Sequence, residues 1–158
     1  MDYRVGFSKD IHILVPNRKL LLAGVDVPFH LGEEAHSDGD VVYHAVAESI
    51  LGALALGDLG THFPDTSDTT LNMNSSLIVK EVVEIMKERG YSVNNIDVFI
   101  SLEEPKLKDF IPMMRANLSV LLETNIENVS LKAGTNEGVG EVGRGKAVEA
   151  TSMILLKK

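Results

Sequence analysis

The stretch His36-Ser37-Asp38-Gly39-Asp40, with His44 four residues further on, decides how this chain is read. It is a tight polar turn that runs straight into a helix. Ser37 or Asp38 can cap that helix by accepting hydrogen bonds from its free N–H groups, and Gly39 relaxes the backbone at the entry. Val41, Val42, Ala45, Val46, Ile50, Leu51 and Leu54 then recur at helical spacing, which predicts a helix over residues 39–56, ended by Gly57. Asp40 and His44 stand four apart and are expected to share a face one turn inside it. A helix start carrying imidazoles and carboxylates suits a metal or a phosphate. It suits equally an ordinary capped helix with one hydrogen-bonded histidine.

Outward from this helix, the chain reads as one domain over residues 1–158. Residues 4–7 form a short strand leading to Asp10-Ile11-His12. Asp10 and His12 are two apart, so in extended chain they point to one side. They could be two ligands of one metal, or two polar residues at a strand end. Residues 19–22 and 25–27 are extended segments around Ala23-Gly24. After the helix comes a polar loop containing Asp58-Leu59-Gly60 and residues 63–67. A second helix spans residues 75–89, capped by Asn74 or Ser75, with Leu77, Ile78, Val82, Ile85 and Met86 as its core face. Residues 96–102 form a strand, and Pro105-Lys106-Leu107-Lys108 turns into a third helix over 111–122, with Pro112 in its first turn. Residues 129–133 and 147–156 are further strands flanking a glycine-rich loop at 134–145. This order predicts a two-layer α+β domain, with helices packed on one face of a mixed sheet.

Composition narrows the function. Fifteen Lys and Arg against 23 Asp and Glu give a net charge of −8, which argues against a nucleic-acid binder. An anionic ligand would need metal ions or a few local cations. There is no cysteine, so disulfides and thiolate metal sites are excluded and any metal must use His, Asp or Glu. Residues 1–5 have no apolar signal region, and no apolar run approaches the ~20 residues that span a bilayer. A cytoplasmic setting is expected, or an organelle if a transit peptide was removed. Gly138-Val139-Gly140-Glu141-Val142-Gly143 matches a dinucleotide fingerprint, but a strand follows where that fold needs a helix, so this reading is rejected. The loop could still approach a phosphate closely. His30 and His62 lack patterned partners and are expected to be structural or exposed.

Taken in order, Asp10-Ile11-His12, the 36–40 turn with His44, residues 55–60, Phe63-Pro64-Asp65-Thr66, Pro105-Lys106 and Lys132-Ala133-x-Thr135-x-Glu137 resemble the 2-C-methyl-D-erythritol 2,4-cyclodiphosphate synthases across nearly the whole chain. That resemblance implies cyclisation of a cytidine-diphosphate derivative of methylerythritol 2-phosphate, with release of CMP. It implies zinc or another divalent metal on Asp10, His12 and His44, and magnesium or manganese held by Glu137 against the diphosphate. His36 and Thr135 would stabilise the transition state. Ser37, Asp58, Leu59, Gly60 and the 63–67 loop (Phe63, Pro64, Asp65, Thr66, Ser67) would hold the sugar phosphate. Residues 102–108, with Leu102, Pro105, Lys106, Leu107 and Lys108, would line the cytidine pocket, and Gly134, Asn136 and Arg144 would also touch substrate. A chorismate-mutase-like homotrimer with active sites between subunits is also implied, with no membrane partner. Lys9, Gly134, Glu141 and Lys146 depart from the residues usual at their places, and Glu141 and Lys146 weigh against isoprenoid diphosphate binding along the trimer axis. The residues alone also leave room for a metal-dependent phosphohydrolase or a non-catalytic metabolite sensor.

Overall fold

The molecule is built on one long strand, β1 (Tyr3–Pro16), which the sequence reading ended at residue 7. In the computed structural model, which describes residues 1–64 and 71–158, it pairs antiparallel with β7 (Ala147–Lys157) from Tyr3↔Lys157 to Ile13↔Ala147. The polar run from Ser8 to His12 does not end the strand. Main-chain pairing with β7 is indifferent to side-chain polarity, and alternate residues merely face opposite sides. Gly6, Ser8 and Leu14 are buried against the helical layer, with Asp10 and His12 half-buried between them.

Two short strands, β2 (Leu20–Leu22) and β3 (Val25–Val27), form a separate hairpin. The main sheet adds β4 (Leu31–Glu33), β5 (Ser92–Ser101) and β6 (Val129–Gly134), in the order β4-β1-β7-β5-β6. Only β5 and β6 run parallel, so the sheet is mixed as expected. The helices are α1 (Val41–Ala53), the single turn α2 (Leu59–His62), α3 (Ser75–Glu88), α4 (Ile111–Leu121) and the single turn α5 (Gly140–Gly143) inside the glycine-rich loop.

Helix α1 is the core of the domain. Val46, Ile50 and Leu51 are fully buried in one apolar cluster with Val82, Ile100 and Ile154. Its approach to β1 depends on Gly6, where a Cβ would stand 1.8 Å from the Ser49 carbonyl oxygen. Ser49 and Ser152 link helix to sheet through their buried hydroxyls, 2.9 Å apart.

Three local expectations are corrected. The cap of α1 is Asp40 rather than Ser37 or Asp38, and its carboxylate accepts from Tyr43 N–H. Asp40 also accepts from Ala23 N–H (3.0 Å) and Gly24 N–H (2.7 Å), so it is buried under the β2–β3 turn and not on the face carrying His44. Leu77 is 48% exposed on the outer side of α3, because a helical stripe of period 3.6 admits Ile78 and Val82 but rotates Leu77 outward. His30 packs on the Phe29 ring and His62 lies against the Leu56 carbonyl, both at the surface.

The sheet's second face has no helices over it among the described residues. Val5 (65%), Phe7 (59%), Ile13 (59%) and Met153 (52%) are exposed there, with Tyr3, Ile11 and Phe99 beside them. Among the described residues no helix is long and apolar enough to cross a membrane.

Candidate active site and metal centre

Strand β1 and helix α1 meet at three donor atoms. Asp10 Oδ2 lies 3.1 Å from His12 Nε2 and 3.3 Å from His44 Nδ1, and the two nitrogens are 3.4 Å apart. A tetrahedral ion with bonds of about 2.0–2.1 Å needs donors about 3.3–3.4 Å apart, the edge of such a tetrahedron. The triangle therefore fits a small divalent cation without rearrangement. Among the described residues it is the one cluster of this kind.

The hydrogen-bond partners behind the imidazoles set their tautomers. His12 Nδ1 faces the Gly39 carbonyl at 2.8 Å; a carbonyl only accepts, so Nδ1 carries the hydrogen and Nε2 offers its lone pair. His44 Nε2 faces the Ser75 hydroxyl at 2.9 Å. That hydroxyl donates to the Asp38 carboxylate and so accepts from His44, which leaves Nδ1 free for a metal. The Ser37 hydroxyl, 3.1 Å from His44 Nε2, and the Ser75 N–H donated to Asp38 complete the shell. The 36–40 turn thus acts from behind the donors, through Ser37, Asp38 and Gly39.

Charge is concentrated here. Burial pushes the Asp10 carboxyl up, but the His12 and His44 imidazoles outweigh it and the net shift is downward. Burial lowers His12, yet Asp10 and Glu33 beside it win and raise it to about 10. Burial raises Glu33 to about 7 against the opposing pull of His12 and the Val41 and Leu21 N–H groups. Asp40 is raised to about 7 by burial and by Glu33, against its three backbone N–H bonds. A field that favours a proton on His12 also favours a dication between the three donors.

The donors open into a cavity of about 360 Å³ whose wall includes His36, Ser37, Leu59, Gly60 and Phe63. Asp58 caps α2 at its edge, accepting from the Thr61 N–H (2.9 Å) and hydroxyl (2.7 Å). Pro64 follows directly, while Asp65, Thr66 and Ser67 lie outside the described residues. The remaining candidates gather elsewhere. Leu102, Pro105, Lys106, Leu107, Lys108, Gly134 and Thr135 line a second cavity of about 340 Å³, which shares no residue with the first. Glu137 and Asn136 stand exposed in the turn beyond it, and Glu103, through 3.2 and 2.8 Å bonds from Asn136 and Gly138 N–H, holds that turn in shape. Arg144 pairs with Glu141 beside a third cavity, which again includes Thr135. Within one chain, His36 and Thr135 therefore face different cavities.

A model of the YgbB family matches residues 3–157. The chain belongs to the YgbB family. Among its YgbB-type relatives, the 2-C-methyl-D-erythritol 2,4-cyclodiphosphate synthase of Brachyspira hyodysenteriae is 48% identical over 155 residues, 98% of each chain. The bifunctional IspDF of Campylobacter jejuni superposes with a TM-score of 0.94 at 38% identity, over 99% of this chain and 42% of that one. IspF of Plasmodium falciparum in complex with CDP superposes with a TM-score of 0.86 at 31% identity, over 98% and 95%.

Glu33 and Glu48 of this YgbB domain escaped the sequence reading, and Glu103 fell inside the 102–108 stretch expected at the nucleotide pocket. Glu33 is wholly buried behind His12, Glu48 accepts from Ser8 Oγ (2.7 Å) and Leu59 N–H (3.1 Å) at the cavity wall, and Glu103 braces the 135–138 turn. A glutamate's burial depends on strands remote in sequence, so no local pattern marks it.

Proposed function

We propose that the chain closes 4-diphosphocytidyl-2-C-methyl-D-erythritol 2-phosphate into 2-C-methyl-D-erythritol 2,4-cyclodiphosphate with release of CMP, a step of isoprenoid biosynthesis. The observation that carries this reading is the Asp10–His12–His44 triangle open to a cavity, in a chain 48% identical end to end to a synthase of that name. The three donors would hold zinc, leaving the fourth tetrahedral position toward the cavity. When bound, zinc supplies positive charge and Lewis acidity at a phosphate oxygen. Glu137 would hold magnesium or manganese at the diphosphate.

The chain's own residues do the positioning. His36 and Thr135 donate hydrogen bonds to charge that develops as CMP leaves. Asp58 accepts from the erythritol hydroxyls, and Ser37, Leu59, Gly60, Phe63 and Pro64 wall in the sugar phosphate. Leu102, Pro105, Leu107 and Gly134 form the nucleotide pocket, with Lys106 and Lys108 as its cations, and Asn136 and Arg144 touch the substrate from beside it. Holding attacking and accepting phosphates in one site removes a bimolecular encounter, worth roughly 7–11 kcal/mol.

This site needs a second copy of the chain. The cavity of His36 and the cavity of Thr135 are separate within one protomer, and the apolar sheet face of Val5, Phe7, Ile13 and Met153 is uncovered. A chorismate-mutase-like homotrimer packed through its sheets satisfies both features.

The test is turnover in ¹⁸O-labelled water, read by phosphorus NMR and mass spectrometry. One CMP and one unlabelled cyclic diphosphate are expected, because the nucleophile is the substrate's own phosphate. A labelled or linear product would make the enzyme a hydrolase.

Metal binding must also expel the His12 proton. Below its raised value of about 10 the metal-free imidazole is charged, so protons compete with the ion. Near pH 8 calorimetry in two buffers of different ionisation enthalpy should count about one proton released per zinc, and affinity should rise about tenfold per pH unit from about 7 to 9. No proton release would contradict His12 as a ligand.

A further inference from the structure

Glu33 is 0% exposed, at the end of an edge strand and opposite Leu14 of β1. Its two oxygens accept from different elements: Oε1 from Val41 N–H at the start of α1 (3.0 Å), Oε2 from Leu21 N–H in β2 (3.2 Å). Oε1 also stands 3.7 Å from His12 Nδ1. Two backbone N–H groups do not need a charged acceptor, and a buried carboxylate is a costly one to choose. The cationic group set beside it is His12, the ligand whose other nitrogen faces the metal position. The Gly39 carbonyl at 2.8 Å already orients the ring, so orientation is not what the carboxylate adds. What remains is charge, held where water does not screen it.

We infer that Glu33 is a positioning residue of the metal centre: a buried counter-charge behind His12 that raises the affinity of the Asp10–His12–His44 site for a divalent cation. The inference rests on the metal site proposed above. Carboxylates placed behind metal-bound histidines raise ligand basicity and oppose the ion's positive charge. Here the carboxylate is also tied to the α1 N-terminus, so the helix that carries His44 and the strand that carries His12 share one anionic hinge point.

The experiment is competition between the full-length protein and a chromophoric chelator for zinc, well below the melting temperature, with His44→Ala defining loss of the site. Glu33→Gln is expected to weaken zinc binding about tenfold or more. Glu33→Asp, which keeps the charge but draws it back from both backbone N–H groups, should lose less. Both variants disturb the backbone bonds, Asp by its shorter reach and Gln by setting an NH2 donor against one N–H, so a purely structural residue would lose zinc affinity to a similar degree in both. Glu33→Gln binding as tightly as wild type, or Glu33→Asp binding as weakly as Glu33→Gln, would overturn the inference. If wild type and His44→Ala bind zinc alike, the metal site itself fails, which is a distinct result. A crystal structure of the zinc-loaded wild type needs no variant: a Glu33 carboxylate more than about 6 Å from His12 Nδ1 would equally overturn the role.

Discussion

The His12→Ala protein is expected to lose turnover by on the order of 10³-fold or more while keeping its fold. Removing the imidazole leaves a carboxylate and one histidine, two donors where a catalytic ion needs three. Several kcal/mol of charge stabilisation at the phosphates disappears with the ion, and each 1.36 kcal/mol is a factor of ten. The fold also has a stake in the same side chain, because Asp10 and buried Glu33 lose the imidazole that offsets their charge, so the melting temperature should fall. Yet His12 is half-buried at a cavity wall, its backbone pairing with Val148 persists, and Glu33 keeps its bonds to Val41 and Leu21. The Gly39 carbonyl loses one donor, worth about 1 kcal/mol. Circular dichroism and a melting curve beside the CMP assay decide the matter. An unfolded variant would make the ion structural, and an active one would remove the metal from the mechanism.

An equimolar mixture of His12→Ala and Glu137→Gln chains, each nearly inactive alone, should recover activity after subunit exchange. In the proposed trimer a site takes its metal half from one protomer and its Glu137 half from the next. With random assembly of a cyclic trimer, about a quarter of the sites combine two intact halves, so about a quarter of wild-type activity should return. A chain that carried its whole site would give no recovery at any ratio. Exchange is verified independently by native mass spectrometry with one isotope-labelled variant. Full recovery or none, despite verified exchange, would refute the shared arrangement.

Of the candidate metal group, the Asp10–His12 pair could be read locally, while the joining of His44 to it was implied only by the resemblance. Asp10 and His12 are two residues apart in a strand, and His44 follows a recognisable polar turn into a helix. The turn's chemistry was legible only in outline. Which carboxylate caps α1 depended on the β2–β3 hairpin, whose Ala23 and Gly24 N–H groups claim Asp40 and bury it. The length of β1 was hidden because Ser8, Lys9 and Asp10 look like a strand end, whereas β7 supplies pairing partners regardless of side chain. Leu77 misled because one extra apolar residue beside a helical stripe has no local mark of its orientation. Glu33 and Glu103 do their work through contacts with His12 and Gly138, 21 and 35 residues away along the chain, beyond any window of periodicity.

Strand β1 carries Asp10 and His12 on its even positions and, apart from Lys9, exposed apolar side chains on its odd ones from Tyr3 to Ile13. A two-residue period behaves like a reading frame. Slipping the strand by one residue against β7 would turn Asp10 and His12 outward and drive Phe7, Ile11 and Ile13 beneath α1, where Gly6 leaves no space for them. A single-residue insertion or deletion in the middle of this strand would scramble both surfaces at once unless a bulge absorbed it, as the register shift between Val93 and Asn95 does in β5. A change of length in a connection carries no such penalty, because no register is at stake there.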